Sequence, residues 1–199
     1  MTFSKVKTHL LFWFVLAGFL MPMFFLHAAI ERVSIDSSGG QANSDAVRTS
    51  ISSDGRYVTF SSGATNLVPG DTNATQDIFV YDRQINTIER VSVDDLGNEA
   101  DDASDFPSLS SDGRYVAFFS SATNLVSGDV GGFVDIFVYD RQNDTIERVS
   151  VDDLGNEADA DIINHFTSIS SDGRYVTFSS SATNLVAGDT NGISDIFVY

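Results

Sequence analysis

Ser52-Ser53-Asp54-Gly55-Arg56-Tyr57-Val58-Thr59-Phe60 holds the pattern that decides the fold, because Ser-Asp-Gly-Arg-Tyr-Val begins again at Ser111 and Ser171. Asp-Gly followed by alternating Tyr, Val, Thr and Phe is a strong hairpin signal. The period of two puts Val58 and Phe60 on one face of a strand and Tyr57 and Thr59 on the other, as in a sheet covered on one or both sides.

Working outward, the neighbouring blocks keep step. Glu-Arg-Val-Ser begins at Glu31, Glu89 and Glu147, 58 residues apart each time; Ala-Thr-Asn-Leu-Val begins at Ala64, Ala122 and Ala182, and Asp-Ile-Phe-Val-Tyr at Asp77, Asp135 and Asp195. The frame is therefore three copies, 31–88, 89–146 and 147–199, the third stopping in mid-repeat. It also carries two extra residues around Asp161 to His165, expected in a loop rather than a strand because loops tolerate insertion. Each copy offers four strand-like segments: a short one before Asp-Gly (Pro107 to Ser110), a stronger one after it (Arg114 to Phe119), a third at Ile78 to Tyr81, and a fourth at Thr87 to Ser92 after a turn at Asp82 to Asn86. Turn-forming Gly, Ser, Asn and Asp cluster between them, and no helical period exceeds two turns. The expected fold is all-β, with four-stranded antiparallel repeats packed as β-propeller blades; a linear β-solenoid would repeat at shorter periods.

Before the repeats, Lys5 and Lys7 precede an apolar run from Leu10 to Leu26 that ends at His27-Ala28-Ala29. This outline predicts a signal peptide over 1–29, cut after Ala28 or Ala29, with Pro22 breaking the leader helix near its exit; an uncleaved anchor is the alternative. The repeats, 30–199, are then exported, to the periplasm, the cell surface or the medium. They carry nine basic residues, all Arg, among 28 Asp and Glu in the chain. So acidic a surface repels phosphate backbones and anionic lipid, which excludes nucleic acid and membrane surfaces and leaves cations and basic partners. Only five of the acids are Glu; Asp suits turns and caps. With no cysteine, stability must come from a core.

Ser-Ser-Asp-Gly-Arg-Tyr-Val-x-Phe, then Ala-Thr-Asn-Leu-Val-x-Gly-Asp, then Asp-Ile-Phe-Val-Tyr resembles the TolB-like, WD-related propeller repeat, three times in register. Ser53, Ser111 and Ser171 stand where that family often has Pro. The resemblance implies a propeller, commonly six-bladed, in exported bacterial proteins, usually an interaction scaffold and not a catalyst. Such propellers also sit beside serine peptidase domains, so the reading carries the alternative of an N-terminal domain of a larger hydrolase.

Hard oxygen ligands cluster after Ala-Thr-Asn-Leu-Val. Asp71, Asn73 and Asp77, with Asp189, Asn191 and Asp195 in copy three, alternate with Gly as in a calcium-wrapping loop, which raises a third reading, a calcium-stabilised surface or adhesive repeat. Copy two keeps only Asp129 and Asp135, no copy has the full ligand set, and the same residues also read as turn caps. A second acidic run, Asp94 to Asp102, echoed at Asp152 to Asp159, joins one copy to the next and reads either as a cation-attracting ring or as a solvated loop. No catalytic residue is expected. His165 is the single histidine of the repeats, no Gly-x-Ser-x-Gly elbow is present, and Asp54, Asp112 and Asp172 recur in every copy, as do Arg56, Arg114 and Arg174 and Arg32, Arg90 and Arg148. Residues repeated in every blade serve the blade, the arginines by pairing with nearby Asp.

Overall fold

The computed structural model describes residues 13–16, 19–22, 29–130, 132–162 and 167–199. The chain divides into two units, Met1–Arg32 and Val33–Tyr199. In the first, β1 (Trp13–Leu16) and β2 (Phe19–Pro22) pair antiparallel. These residues of the leader are thus short strands, where a helix is expected; Pro22 is tolerated because it sits at a strand end. Lys5, Lys7 and Ala28 lie outside the described residues. Among the described residues no helix is long and apolar enough to cross a membrane.

The second unit is all-β. Its first sheet runs β3 (Ala46–Ile51), β4 (Tyr57–Ser62), β5 (Asp77–Asp82), β6 (Thr87–Arg90). The second runs β7 (Ser104–Leu109), β8 (Tyr115–Ser120), β9 (Asp135–Asp140), β10 (Thr145–Arg148). The third has β11 (Ser168–Ile169), β12 (Val176–Ser180) and β13 (Asp195–Val198). Every neighbouring pair is antiparallel and consecutive in sequence, so each sheet is a meander. The repeat frame is out of phase with the blades: Glu89-Arg90 and Glu147-Arg148 open a repeat but close the preceding blade as part of β6 and β10.

The first strands of the three blades lie side by side. Ser53 N donates to Ser111 O at 2.9 Å and Ser111 N to Ser171 O at 3.0 Å, while Leu109 N reaches Ser50 Oγ at 3.3 Å and Ile169 N reaches Ser108 Oγ at 3.2 Å. From this inner line the sheets pack face on face. Ile78 and Val80 of β5 meet Val116, Phe118, Phe137 and Tyr139 across the first interface. The opposite face of the second blade, Ala117, Phe119, Ile136 and Val138, meets Val176 and Phe178 of the third. Alternation therefore buries both faces of the middle blade, and Thr59 and Ser61 of the first blade are buried as well. Burying a Phe such as Phe118 stabilises by roughly 1.5–3 kcal/mol. The result is an open, partial β-propeller.

One expectation changes in detail. The strand before Asp-Gly is longer than its predicted core, six residues in β3 and β7, and both strands bulge, between Val47 and Ser50 and between Asp105 and Ser108. Arg48 and Phe106 take positive φ there, 50° and 54°. The two extra residues of copy three fall between Ile162, which bridges to Ser180, and Ser168, which pairs with Thr177, a stretch whose residues 163–166 lie outside the described residues. His165 itself lies outside the described residues.

Candidate functional site

The Asp-Gly turn, Ser52 to Arg56 between β3 and β4, is built on a side-chain scaffold. Ser52 Oγ donates to Asp54 Oδ1 at 2.7 Å, Arg56 N donates to the same oxygen at 2.9 Å, and Tyr57 N donates to Ser52 Oγ at 2.9 Å. Ser110, Asp112, Arg114 and Tyr115 repeat the arrangement. Arg56 then forks onto Asp82 and Arg114 onto Asp140, with shortest distances of 2.7 and 2.6 Å, and these hydrogen bonds hold both carboxyls below the ordinary range. Arg56 and Arg114 thus tie the Asp-Gly turn to the end of the third strand in each of the first two blades.

The predicted metal loop forms a different assembly. Arg90, 8% exposed at its side chain, brings its guanidinium to 3.4 Å from Asp71, 3.4 Å from Asp77 and 3.0 Å from Glu99. Asn73 does not point an oxygen inward: its Nδ2 donates to Asp77 Oδ2 at 3.1 Å and to Ala100 O at 2.9 Å, while its Oδ1 accepts from Thr75 N. Ser92 Oγ donates to the other Asp77 oxygen and accepts from Ile78 N. In the second blade Arg148 stands among Asp129, Asp135 and Glu157 at 3.3 to 3.4 Å, with Ser150 in the place of Ser92. Oxygens of those three acids lie within 4.8 Å of one another. A guanidinium from the fourth strand thus stands among the candidate metal ligands of the first two blades.

Three carboxylates around one cation leave excess negative charge in a desolvated place. Burial pushes the Asp71 carboxyl up to about 6, the charges of Asp77 and Glu99 adding to it and Arg90 opposing. Burial likewise pushes Asp135 up to about 6 against the Ser150 hydrogen bond and Arg148. Asp77 and Asp129 are raised for the same first reason. In the third blade, Asp189 and Asp195 are half-buried and Asn191 is exposed; Asn191 lies 3.4 Å from each. Among the described residues no arginine pairs with these two acids.

The acidic run between blades is largely engaged. Asp94 Oδ1 accepts from Leu96 N and Asn98 N, and Asp152 does the same for Leu154 N and Asn156 N, so each closes its own turn. Asp95 accepts from Ile146 N, Glu99 from Thr72 and Arg90, and Asp101 from the Thr123 amide and hydroxyl. What these turns present outward is apolar: Leu96 and Leu154 are each 86% exposed. Sequence reasoning missed both, although Asp-Asp-Leu-Gly-Asn places a lone large apolar residue at a turn tip twice.

No protein-family model matches the chain, and no curated protein matches it. Among solved structures it is similar to a putative TolB from Agrobacterium tumefaciens, with 20% identity and a TM-score of 0.44 over 73% of this chain and 41% of that one. It is similar to TolB from Acinetobacter baumannii, with 19% identity and a TM-score of 0.43 over 79% and 32%. The β-propeller domain of the Trilobed protease from Pyrococcus furiosus gives 15%, 0.44, 70% and 35%. The chain spans less than half the length of each. The chain's own three antiparallel sheets give its fold, an open set of β-propeller blades.

Proposed function

We propose that the chain is an exported, non-enzymatic propeller scaffold whose inter-blade turns dock a basic protein partner. The observation that carries this reading is the pair of equivalent acidic turns, one blade apart, each with an 86% exposed leucine at its tip. An apolar anchor inside a rim of carboxylates suits a partner with an apolar pocket and basic surroundings, the charges steering encounter and the leucines supplying contact area. Beside Leu96, a groove lined by Asp94, Asp95, Val126, Ile146 and Glu147 offers further apolar floor. The charged, repeated side chains that would otherwise suggest chemistry are held in turns and in the arginine clusters, which supports a scaffold role. Export is supported by the Lys5 and Lys7 flank and the apolar run to Leu26.

The test is calorimetric titration of the full chain with a lysine- and leucine-rich peptide at low and at physiological salt. Binding that weakens with salt is expected, and Leu96→Ser with Leu154→Ser should weaken it at least about tenfold, since burying each leucine is worth roughly 1.5–3 kcal/mol. Binding unaffected by the leucine substitutions, or hydrolysis of the peptide by the chain, would overturn the reading.

A further inference from the structure

We propose that Asn191 is a site of spontaneous, backbone-assisted deamidation, which turns the amide-bridged loop leading into β13 into one with three carboxylates. The sequence holds a single Asn-Gly pair, Asn191-Gly192. Glycine presents its amide nitrogen to the preceding side chain without a Cβ to shield it. Asn191 Oδ1 accepts from Ile193 N at 3.0 Å, a turn that folds the carboxamide back over the peptide of Gly192 and polarises its carbonyl. Gly192 N, the attacking atom, donates no hydrogen bond among the described residues.

The first blade supplies an internal control. Asn73 makes the same turn, with Thr75 N donating to its Oδ1 at 3.0 Å, but Ala74 follows it. Ala74, Gly132 and Gly192 occupy equivalent positions with φ of 55°, 61° and 61°, and all three are exposed. Solvent therefore reaches this point of the loop in the first two blades, each with another blade packed on it, as well as in the third. The three Asp-Gly pairs are locked by comparison: Gly55 N, Gly113 N and Gly173 N donate to Ser52 O, Ser110 O and Ser170 O at 2.9, 3.0 and 2.9 Å. Hydrogen bonds from the hydroxyls of the same serines hold Asp54, Asp112 and Asp172 below the ordinary carboxyl range, and an ionised carboxylate is a poor electrophile.

In the step itself Gly192 N attacks Asn191 Cγ. The new N–C bond forms as the Cγ–Nδ2 bond breaks, and the Gly192 amide proton leaves with Nδ2 as ammonia. Water then adds to either carbonyl of the succinimide and opens it to Asp or to isoaspartate. The product carries a negative charge where the amide now mediates between two acids: Asn191 N lies 3.4 Å from Asp189 Oδ1, and its Nδ2 donates to Asp195 Oδ2 at 3.4 Å. Asp195 opens β13 opposite Ser180, so replacing that donor by a like charge loosens the start of the strand.

The test is to incubate the full, folded chain in mildly alkaline buffer and follow every Asn by peptide mass mapping. Conversion at Asn191 to both Asp and isoaspartate is expected, at a rate that rises with pH as the attacking amide loses its proton. Asn73 should convert at least about tenfold more slowly, a barrier difference of about 1.4 kcal/mol that the Ala74 methyl supplies. Gly192→Ala should slow Asn191 to the rate of Asn73, and Ala74→Gly should speed Asn73; Ala74 itself shows that alanine is accommodated at this φ. Hydrogen exchange at the Phe197 amide, opposite Phe178, should quicken alike in the aged chain and in Asn191→Asp. Conversion at Asn191 no faster than at Asn73, or a rate unchanged by Gly192→Ala, would overturn the proposal, and Phe197 exchange unchanged in Asn191→Asp would overturn its consequence for β13.

Discussion

At the scale of the residue, the arginine clusters set how this protein responds to pH and to metal. The native state binds protons at Asp71 and Asp135 more tightly than the unfolded chain does, so their contribution is present at mild acidity and is lost as pH rises through about 6. Asp82 and Asp140 are depressed by Arg56 and Arg114, and their contribution is lost when pH falls below the ordinary carboxylate range of about 4. Thermal midpoints should therefore peak between about pH 4 and pH 6, and Asp71→Asn with Asp135→Asn should flatten the limb above pH 5; a midpoint rising steadily to pH 8 would contradict this. Metal follows from the same geometry. In the first two blades, chelator and millimolar calcium should leave hydrogen-exchange protection unchanged, since Arg90 and Arg148 already stand among the acids and a ligand stabilises only by binding the folded state. Arg148→Ala strands three carboxylates, which costs about 3–5 kcal/mol, and calcium should then restore part of the midpoint. The sequence showed the acids at calcium-like spacing, and it showed the arginines. It did not show that Arg90, 13 residues after Asp77, folds back onto them, because that contact follows from strand pairing.

The elements are where the sequence was most legible. Alternation and turn chemistry placed the second, third and fourth strands of the first two blades within a residue or two, since these strands are regular. The inner strands were under-read: β3 is mostly exposed and both β3 and β7 bulge, so neither apolar alternation nor strand propensity marks their full length. The Asp-Gly turn was legible as a turn, though its second task was not. Gly113 and Gly173 each lie where an added Cβ would come within 2.2 Å of the ring of Tyr57 or Tyr115 in the preceding blade, and both have φ near +75°. Gly97 has a similar φ of +81° and open space around it. Gly97→Ala should therefore cost only the left-handed backbone strain, about 1–2 kcal/mol, while Gly113→Ala should cost clearly more by prising two blades apart. Equal losses in denaturant melts of the two variants would remove the turn-to-tyrosine contact from the account.

At the scale of the whole molecule, repeats one blade long explain why the surface is monotonous and where it changes. Side chains that recur hold blades together, as Arg141 does in spanning to Glu89 and stacking over Tyr57 at 4.3 Å. What remains free to specialise is the set of turns. The account rests on the three repeats being packed side by side along their first strands and not strung as separate sheets. The most direct measurement is residue-resolved hydrogen exchange at the Ser53 and Ser111 amides, which sit on exposed or half-buried turns and donate only across blades. Packed blades predict protection of both, lost together when the sheets come apart. Exchange of both at the rate of open turns, with β5 and β9 still protected, would contradict the propeller arrangement.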